Sequence, residues 1–161
     1  MYPGDKVQTH RIDEILDKVR ASGGRITPQR VAIIKAALAG DHPTVEEVYQ
    51  AVRTEFPMTS LATVYKTLAT LQEIGQAVSL GSSDDATHYD LLTPDPHAHA
   101  LCLRCGRVRD LALSDLGELV GEASQVAGGW RLTRRIDFWG LCDACAREAT
   151  PSTRRPDEAS P

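Results

Sequence analysis

The sequence predicts an α+β protein made of a helical first half and a mixed second half. Three observations predict it. Apolar residues recur at helical spacing in four stretches before Gly75, and two short strand-like runs follow them. Beyond Pro94 and Pro96, strand-like alternation brackets one further helix. Two cysteine pairs, Cys102-x-x-Cys105 and Cys142-x-x-Cys145, lie in that second block. At 161 residues the chain is one domain of ordinary size or two small ones sharing an interface.

The first helix runs from Val7 to about Ser22, with Ile12, Ile15, Leu16 and Val19 inward and Gly23-Gly24 as its stop. Thr27 and Pro28 supply an N-cap and a first-turn proline for the second, which buries Val31, Ile33, Ile34, Ala37 and Leu38 and ends at Gly40. Thr44 and Glu47 form a capping box for the third, broken by Pro57. Ser60 caps the fourth, Leu61 to Ile74, with Val64, Leu68 and Leu71 on one face. Strand-like runs at Gln76–Gly81 and Thr87–Leu92 are joined by a polar turn.

Such an order fits a winged helix-turn-helix, and equally a plain helical domain with a hairpin. The outer side of the fourth helix favours the former. It presents Ser60, Thr63, Lys66 and Thr67, with Tyr65 close by, in the half that recognition helices use to read base edges. Arg25, Arg30 and Lys35 would add phosphate contacts. Each of these is also an ordinary solvated residue. The net charge of −4 does not advertise nucleic-acid binding, but only the face that meets phosphate has to be positive.

In the second half, His97–Leu103 and Arg107–Leu113 read as strands. Ser114 is the expected cap of a helix to about Val126, and Trp130–Leu141 is a third strand. The tail from Thr150 to Pro161 reads as disordered. The expected division is therefore a helical and wing unit over 1–92, a hinge at 93–96, a second unit over 97–149 and a tail over 150–161.

No stretch has the length and apolarity of a membrane span or the pattern of an export signal, so a cytoplasmic address and no membrane partner are expected. In a reducing compartment the cysteines are expected as metal ligands rather than disulfides. Cys102, Cys105, Cys142 and Cys145 make a closed four-thiolate set, which suits a structural Zn(II) that stabilises the fold and does no chemistry.

The remaining ligand types form a separate group. Strand alternation puts His97 and His99 on the face away from Cys102. If the hairpin pairs Cys102 with Arg107, His99 lies opposite Asp110. Asp90 and His42 are further candidates. Each has an ordinary reading too: His42 as a residue leading into a helix, Asp90 as a strand-face charge, Asp110 as an exposed edge. His88 and His10 are expected as surface residues.

Taken together the residues resemble the ferric uptake regulator family of metal-dependent repressors. The resemblance runs from Asp13 to Ala146. It is carried by Arg25-Ile26-Thr27-Pro28-Gln29-Arg30, His42-Pro43-Thr44, Ala62-Thr63-Val64-Tyr65-Lys66, His97-Ala98-His99 with Cys102-x-x-Cys105-Gly106, and Gly140-Leu141-Cys142-x-x-Cys145. It implies a homodimer in which the winged helix binds double-stranded operator DNA and the second domain dimerises around the zinc. A regulatory metal, Fe(II) or Mn(II), would lie between the domains on His42, Asp90, His97, His99 and Asp110.

That ligand pattern is similar to the peroxide-sensing branch, because iron-sensing members place Glu where this chain has Asp90 and Asp110. The resemblance then implies a repressor of oxidative-stress genes, not an enzyme, in which peroxide oxidises His42 or His97 on the iron form and releases DNA. Two departures stand out. Arg134 replaces a histidine of an additional metal site, and one extra residue separates Asp90 from His97. An iron- or manganese-responsive uptake regulator remains an alternative. So does a small metalloenzyme using the His/Asp group, although no separate general base or nucleophile is evident.

Overall fold

Four helices form where the caps and glycines place them: α1 (Pro3–Ala21), α2 (Pro28–Ala39), α3 (Val45–Arg53) and α4 (Leu61–Glu73). The chain is seen here as a computed structural model that describes residues 3–81, 87–91, 97–130, 132 and 135–148. The hinge at 93–96, the tail from 150, the turn at 82–86 and Arg134 lie outside the described residues. Thr27 caps α2 through the Arg30 amide, and Thr44 with Glu47 makes both bonds of a capping box at α3. Ser60 accepts the Thr63 amide at the start of α4.

The helices bury one another's apolar stripes. Ile15 and Val19 of α1 meet Ile33 and Ile34 of α2, Val48 of α3 and Val64, Leu68 and Leu71 of α4 in a single cluster. Full burial of each such side chain contributes roughly 1.5–3 kcal/mol. Gly24 is what lets the α1–α2 turn close. A Cβ there would stand 2.7 Å from Val19 Cγ1 and 2.8 Å from the Val19 carbonyl oxygen, so any other residue would push the turn open.

A hairpin of β1 (Val78–Leu80) and β2 (His88–Asp90) follows, shorter at both ends than the two predicted runs. It completes the winged helix and also joins the halves of the molecule. Tyr89 and Leu91 pack into the helical core, whereas Leu80 packs against Leu101 and Val108 of the second half.

Among the described residues, that half holds a three-stranded sheet in the order β4-β3-β5. Strand β3 (His97–Cys102) runs antiparallel to β4 (Val108–Leu111) and parallel to β5 (Arg135–Gly140), with α5 (Leu116–Val126) between β4 and β5 in the chain. The Cys102 amide donates to the Arg107 carbonyl at 2.9 Å, and in this register His99 faces Asp110.

Two local expectations are corrected, and one element is added. Ser114 does not cap α5: its hydroxyl donates to Asp115 at 3.0 Å, and the N-cap residue Asp115 makes no side-chain capping bond. Strands β4 and β5 occupy only part of the runs 107–113 and 130–141. A short helix that the sequence reading did not assign, α6 (Asp143–Glu148), begins directly after Cys142 and carries Cys145.

Candidate metal centres and nucleic-acid face

The sulfur atoms of Cys102, Cys105, Cys142 and Cys145 all lie within 4.8 Å of one another. Two pairs from distant parts of the chain meet because β5 runs parallel to β3 and delivers Cys142 beside Cys102. The Cys105 and Cys142 sulfurs are 3.8 Å apart. A disulfide needs about 2.05 Å, whereas thiolates on one tetrahedral zinc at about 2.3 Å stand about 3.8 Å from each other. The spacing therefore fits an ion. Gly106, at φ +71°, allows the tight knuckle turn.

The thiols are electrostatically unequal. Amides of Cys142, Cys105 and Arg104 point at the Cys102 sulfur and lower its pKa to about 6, while desolvation pushes Cys145 up to about 12. Four crowded thiolates repel unless a cation sits among them, which is the chemistry of a closed zinc site.

The second group assembles from both halves. His42 comes from the α2–α3 loop, Asp90 from β2, His97 and His99 from β3 and Asp110 from β4. His42 Nε2 is 3.0 Å from Asp110 Oδ1, and His97 Nε2 is 3.2 Å from Asp90 Oδ2. His99 Nε2 lies between, 3.6 Å from each of those oxygens. Its ring meets those of His97 and His42 edge-on at 4.6 and 5.2 Å. Two three-donor sets result, His42/His99/Asp110 and Asp90/His97/His99, each with its donor atoms within 4.8 Å and sharing His99.

Asp90 Oδ2 and His99 Nε2 are buried and make no hydrogen bond. Buried polar atoms left without a partner are costly unless something else coordinates them. Nitrogen and carboxylate donors suit Fe(II), Mn(II) or Zn(II), so the residues present fit a divalent ion. Burial by itself would raise the Asp90 carboxyl. The adjoining His99, His97 and His42 outweigh it and hold the group below the usual carboxylate range. At His99 burial works downward, and Asp90, Asp110 and Asp137 carry the imidazole above its ordinary value.

Three contributors to this cluster escaped sequence reasoning. Asp137 of β5 stands beside His99 in the parallel register and receives its Nδ1 at 3.3 Å. Asp41 does the same for His42 Nδ1 at 3.1 Å. Carboxylates in these positions hold each ring with Nε2 turned toward the ligand group. The signals existed: Asp137 is a lone acid in the apolar run Ile136–Trp139, and Asp41 directly precedes His42. The third is His88. It is half-buried rather than a plain surface residue, and its Nδ1 lies 2.6 Å from the His42 carbonyl oxygen. His10 is surface, with Glu14 one turn away at 3.4 Å.

On the helical half, a groove of about 540 Å³ runs between the α1–α2 turn and α4. Arg25, Arg30, Thr63 and Lys66 line it, and Arg30 is steadied by a 2.6 Å bond to the Arg25 carbonyl. Tyr65 is exposed beside it. Ser60 and Thr63 hydroxyls bond each other at 2.8 Å at the helix start. Thr67, expected on the outer face, is buried and donates its hydroxyl to the Thr63 carbonyl, because the helix turns that position toward the core. Lys35 is exposed on α2 but does not line the groove.

A winged helix, a four-cysteine cluster and a His/Asp cluster between them have a counterpart among known families. The model of the ferric uptake regulator family matches residues 21–135. The chain belongs to the ferric uptake regulator family. It is 34% identical over 140 residues to the peroxide operon regulator of Bacillus subtilis, covering 86% of this chain and 96% of that one. It is 35% identical over 137 residues to the peroxide-responsive repressor PerR of Staphylococcus saprophyticus, covering 84% and 92%.

Among solved structures, the Campylobacter jejuni peroxide stress regulator is similar at TM-score 0.64 and 29% identity, covering 90% of this chain and 100% of that one. The Helicobacter pylori ferric uptake regulator matches at TM-score 0.69 and 20% identity, covering 88% and 96%, a likeness of fold. The family is one of regulators. Among the described residues, no helix is long and apolar enough to cross a membrane.

Proposed function

We propose that this ferric uptake regulator family member is a metal-dependent repressor that lets go of its operator when peroxide reaches the His/Asp centre. One observation carries the reading: five nitrogen and carboxylate donors converge from the winged helix and from the sheet beyond it. The 1–92 unit holds DNA, the 97–149 unit holds zinc and dimerises, and the regulatory centre ties them together. The same relatives' names support peroxide as the signal, and Asp at both carboxylate positions agrees with it.

When bound, Fe(II) supplies reductive cleavage of the peroxide O–O bond, which Mn(II) does not. The residues do the rest. His42 and Asp90 belong to the helical half, His97, His99 and Asp110 to the sheet, so holding one ion favours the arrangement in which the α4 helices match two half-sites. Adding oxygen to the imidazole of His42 or His97 removes a lone pair from the set and loosens that arrangement. Arg25, Arg30 and Lys66 supply phosphate contacts, and Ser60, Thr63 and Tyr65 stand where base edges would be met.

A second copy is the expected partner of the sheet domain. Trp130, Phe138, Trp139 and Leu141 are exposed there, and β5 is an edge strand among the described residues. The protein would work in the cytoplasm, where operator DNA is.

The test is operator binding by the Fe(II) and Mn(II) forms before and after low peroxide, with mass spectrometry of the histidine peptides. The expected result is loss of binding by the iron form only, with one oxygen gained on the His42 or His97 peptide. Release that follows metal level alone, with neither peptide oxidised, would instead make the protein a metal-uptake regulator.

A further inference from the structure

We infer that His88 is a positioning residue for the regulatory metal, holding His42 in the backbone conformation that aims its imidazole at the other ligands. The inference rests on the reading of His42 as a metal ligand.

His42 has φ +54°, the one non-glycine residue with positive φ among the described residues. Few residues with a side chain adopt that region, and Pro43 further restricts its predecessor. A strained conformation of this kind persists only where its surroundings over-determine it. Most of those surroundings come from β2. The His88 Nδ1–H donates to the His42 carbonyl at 2.6 Å, the Tyr89 amide donates to the Pro43 carbonyl at 3.0 Å, and Thr44 forms a β-bridge with His88. A carbonyl only accepts, so the proton of His88 must sit on Nδ1.

The other edge of the His88 ring looks toward the cysteine knuckle: a Cβ built on Gly106 would meet its Nε2 at 3.8 Å. One side chain on the wing therefore lies between the loop bearing His42 and the turn bearing Cys105. Two residues along the same strand face is Asp90. The strand that delivers one candidate ligand thus grips the backbone of another, and His88 keeps the two in register. Without this bond the loop can relax toward extended φ, which carries His42 Nε2 away from Asp110.

Mn(II) titration of the zinc-loaded full chain tests this, alongside zinc content and a thermal melt. His88→Ala is expected to weaken Mn(II) about tenfold, the scale seen when outer-shell partners are removed. His88→Asn, whose side-chain amide can donate from nearly the same place, is expected to recover most of it, and His88→Leu none. In a His42→Ala background, His88→Ala should cause no further loss, because its effect passes through His42.

Unchanged affinity in both the Ala and Leu variants would overturn the inference, as would an equal loss in the His42→Ala background. Should His88→Ala lose its zinc, the Asn and Leu pair, similar in size, decides alone. Failure of the unmutated protein to bind Mn(II) at all would instead defeat the proposed function, so the two failures are told apart.

Discussion

Asp137 offers the sharpest test of how the buried cluster is tuned. Its Oδ1 sits 3.3 Å from His99 Nδ1, and His99 is only 1% exposed, so the carboxylate meets a ring nitrogen held inside the fold. Asp137→Ala leaves a buried N–H without this acceptor and lets the ring sample the tautomer whose Nε2 carries the proton. A protonated Nε2 cannot ligate. Loss of such a partner lowers metal affinity by about 10–100-fold. The length of the bond argues for the lower end, about tenfold or ~1.4 kcal/mol.

The loss can be read as a melting temperature. With Mn(II) at about 100 times the original Kd, binding stabilises the native state by ~2.7 kcal/mol, and a tenfold weaker site by ~1.4 kcal/mol. At roughly 2–4 °C per kcal/mol for a chain of this size, the Mn(II)-induced rise in Tm should shrink by about 3–5 °C. Circular dichroism melts with and without Mn(II) measure it, and direct titration gives Kd. An Asp137→Ala protein that binds Mn(II) as tightly as the original would refute the reasoning and make the His99–Asp137 bond incidental.

Other outcomes follow from the same geometry. In metal-free protein, the raised His99 pKa contributes stability fully present below 6.5 and lost as pH climbs through the folded value; the lowered Asp90 pKa contributes stability present above 3.8 and lost only as pH falls through its own depressed value. Mn(II) needs neutral imidazole, so its effect has the opposite trend: metal-free melts should fall between about pH 6 and about pH 8 while the Mn(II)-induced rise grows, and a flat Mn(II) effect contradicts this. Cys145→Ser, at a buried sulfur position of the zinc cluster, should abolish stoichiometric zinc and lower Tm by about 10 °C or more, read by metal analysis and melting. Lys66→Ala should weaken operator binding and reduce the slope of log K against log salt by about 1 per recognition helix, whereas an unchanged slope would place Lys66 off the phosphates.

The helices and their ends were legible because their determinants are local. Thr27, Thr44 with Glu47, and Ser60 each cap through bonds to residues three positions on, and such bonds are written in short motifs. The four-cysteine set was legible for a similar reason, since each pair is a short motif and thiolates in a reducing compartment have few other uses. Strand alternation separated His99 from Cys102, and hairpin counting placed it opposite Asp110. Ser114 misled because a good capping residue is no guarantee of a cap: one position along, Asp115 took its hydroxyl.

Only the tertiary structure decided what lies around those ligands. Asp137 reaches His99 because β5 runs parallel to β3, and no local rule specifies the partner or the direction of a strand 38 residues away. His88 changed from a surface residue to the support of the His42 carbonyl because the wing folds back on the α2–α3 loop, a contact spanning 46 residues. The sequence by itself determined which atoms were available to bind metal and which stretches would be helical, since those follow from side-chain chemistry and local periodicity. Which of those atoms are buried, orphaned and aimed at one another depends on long-range packing, where each position answers to neighbours the sequence does not place beside it.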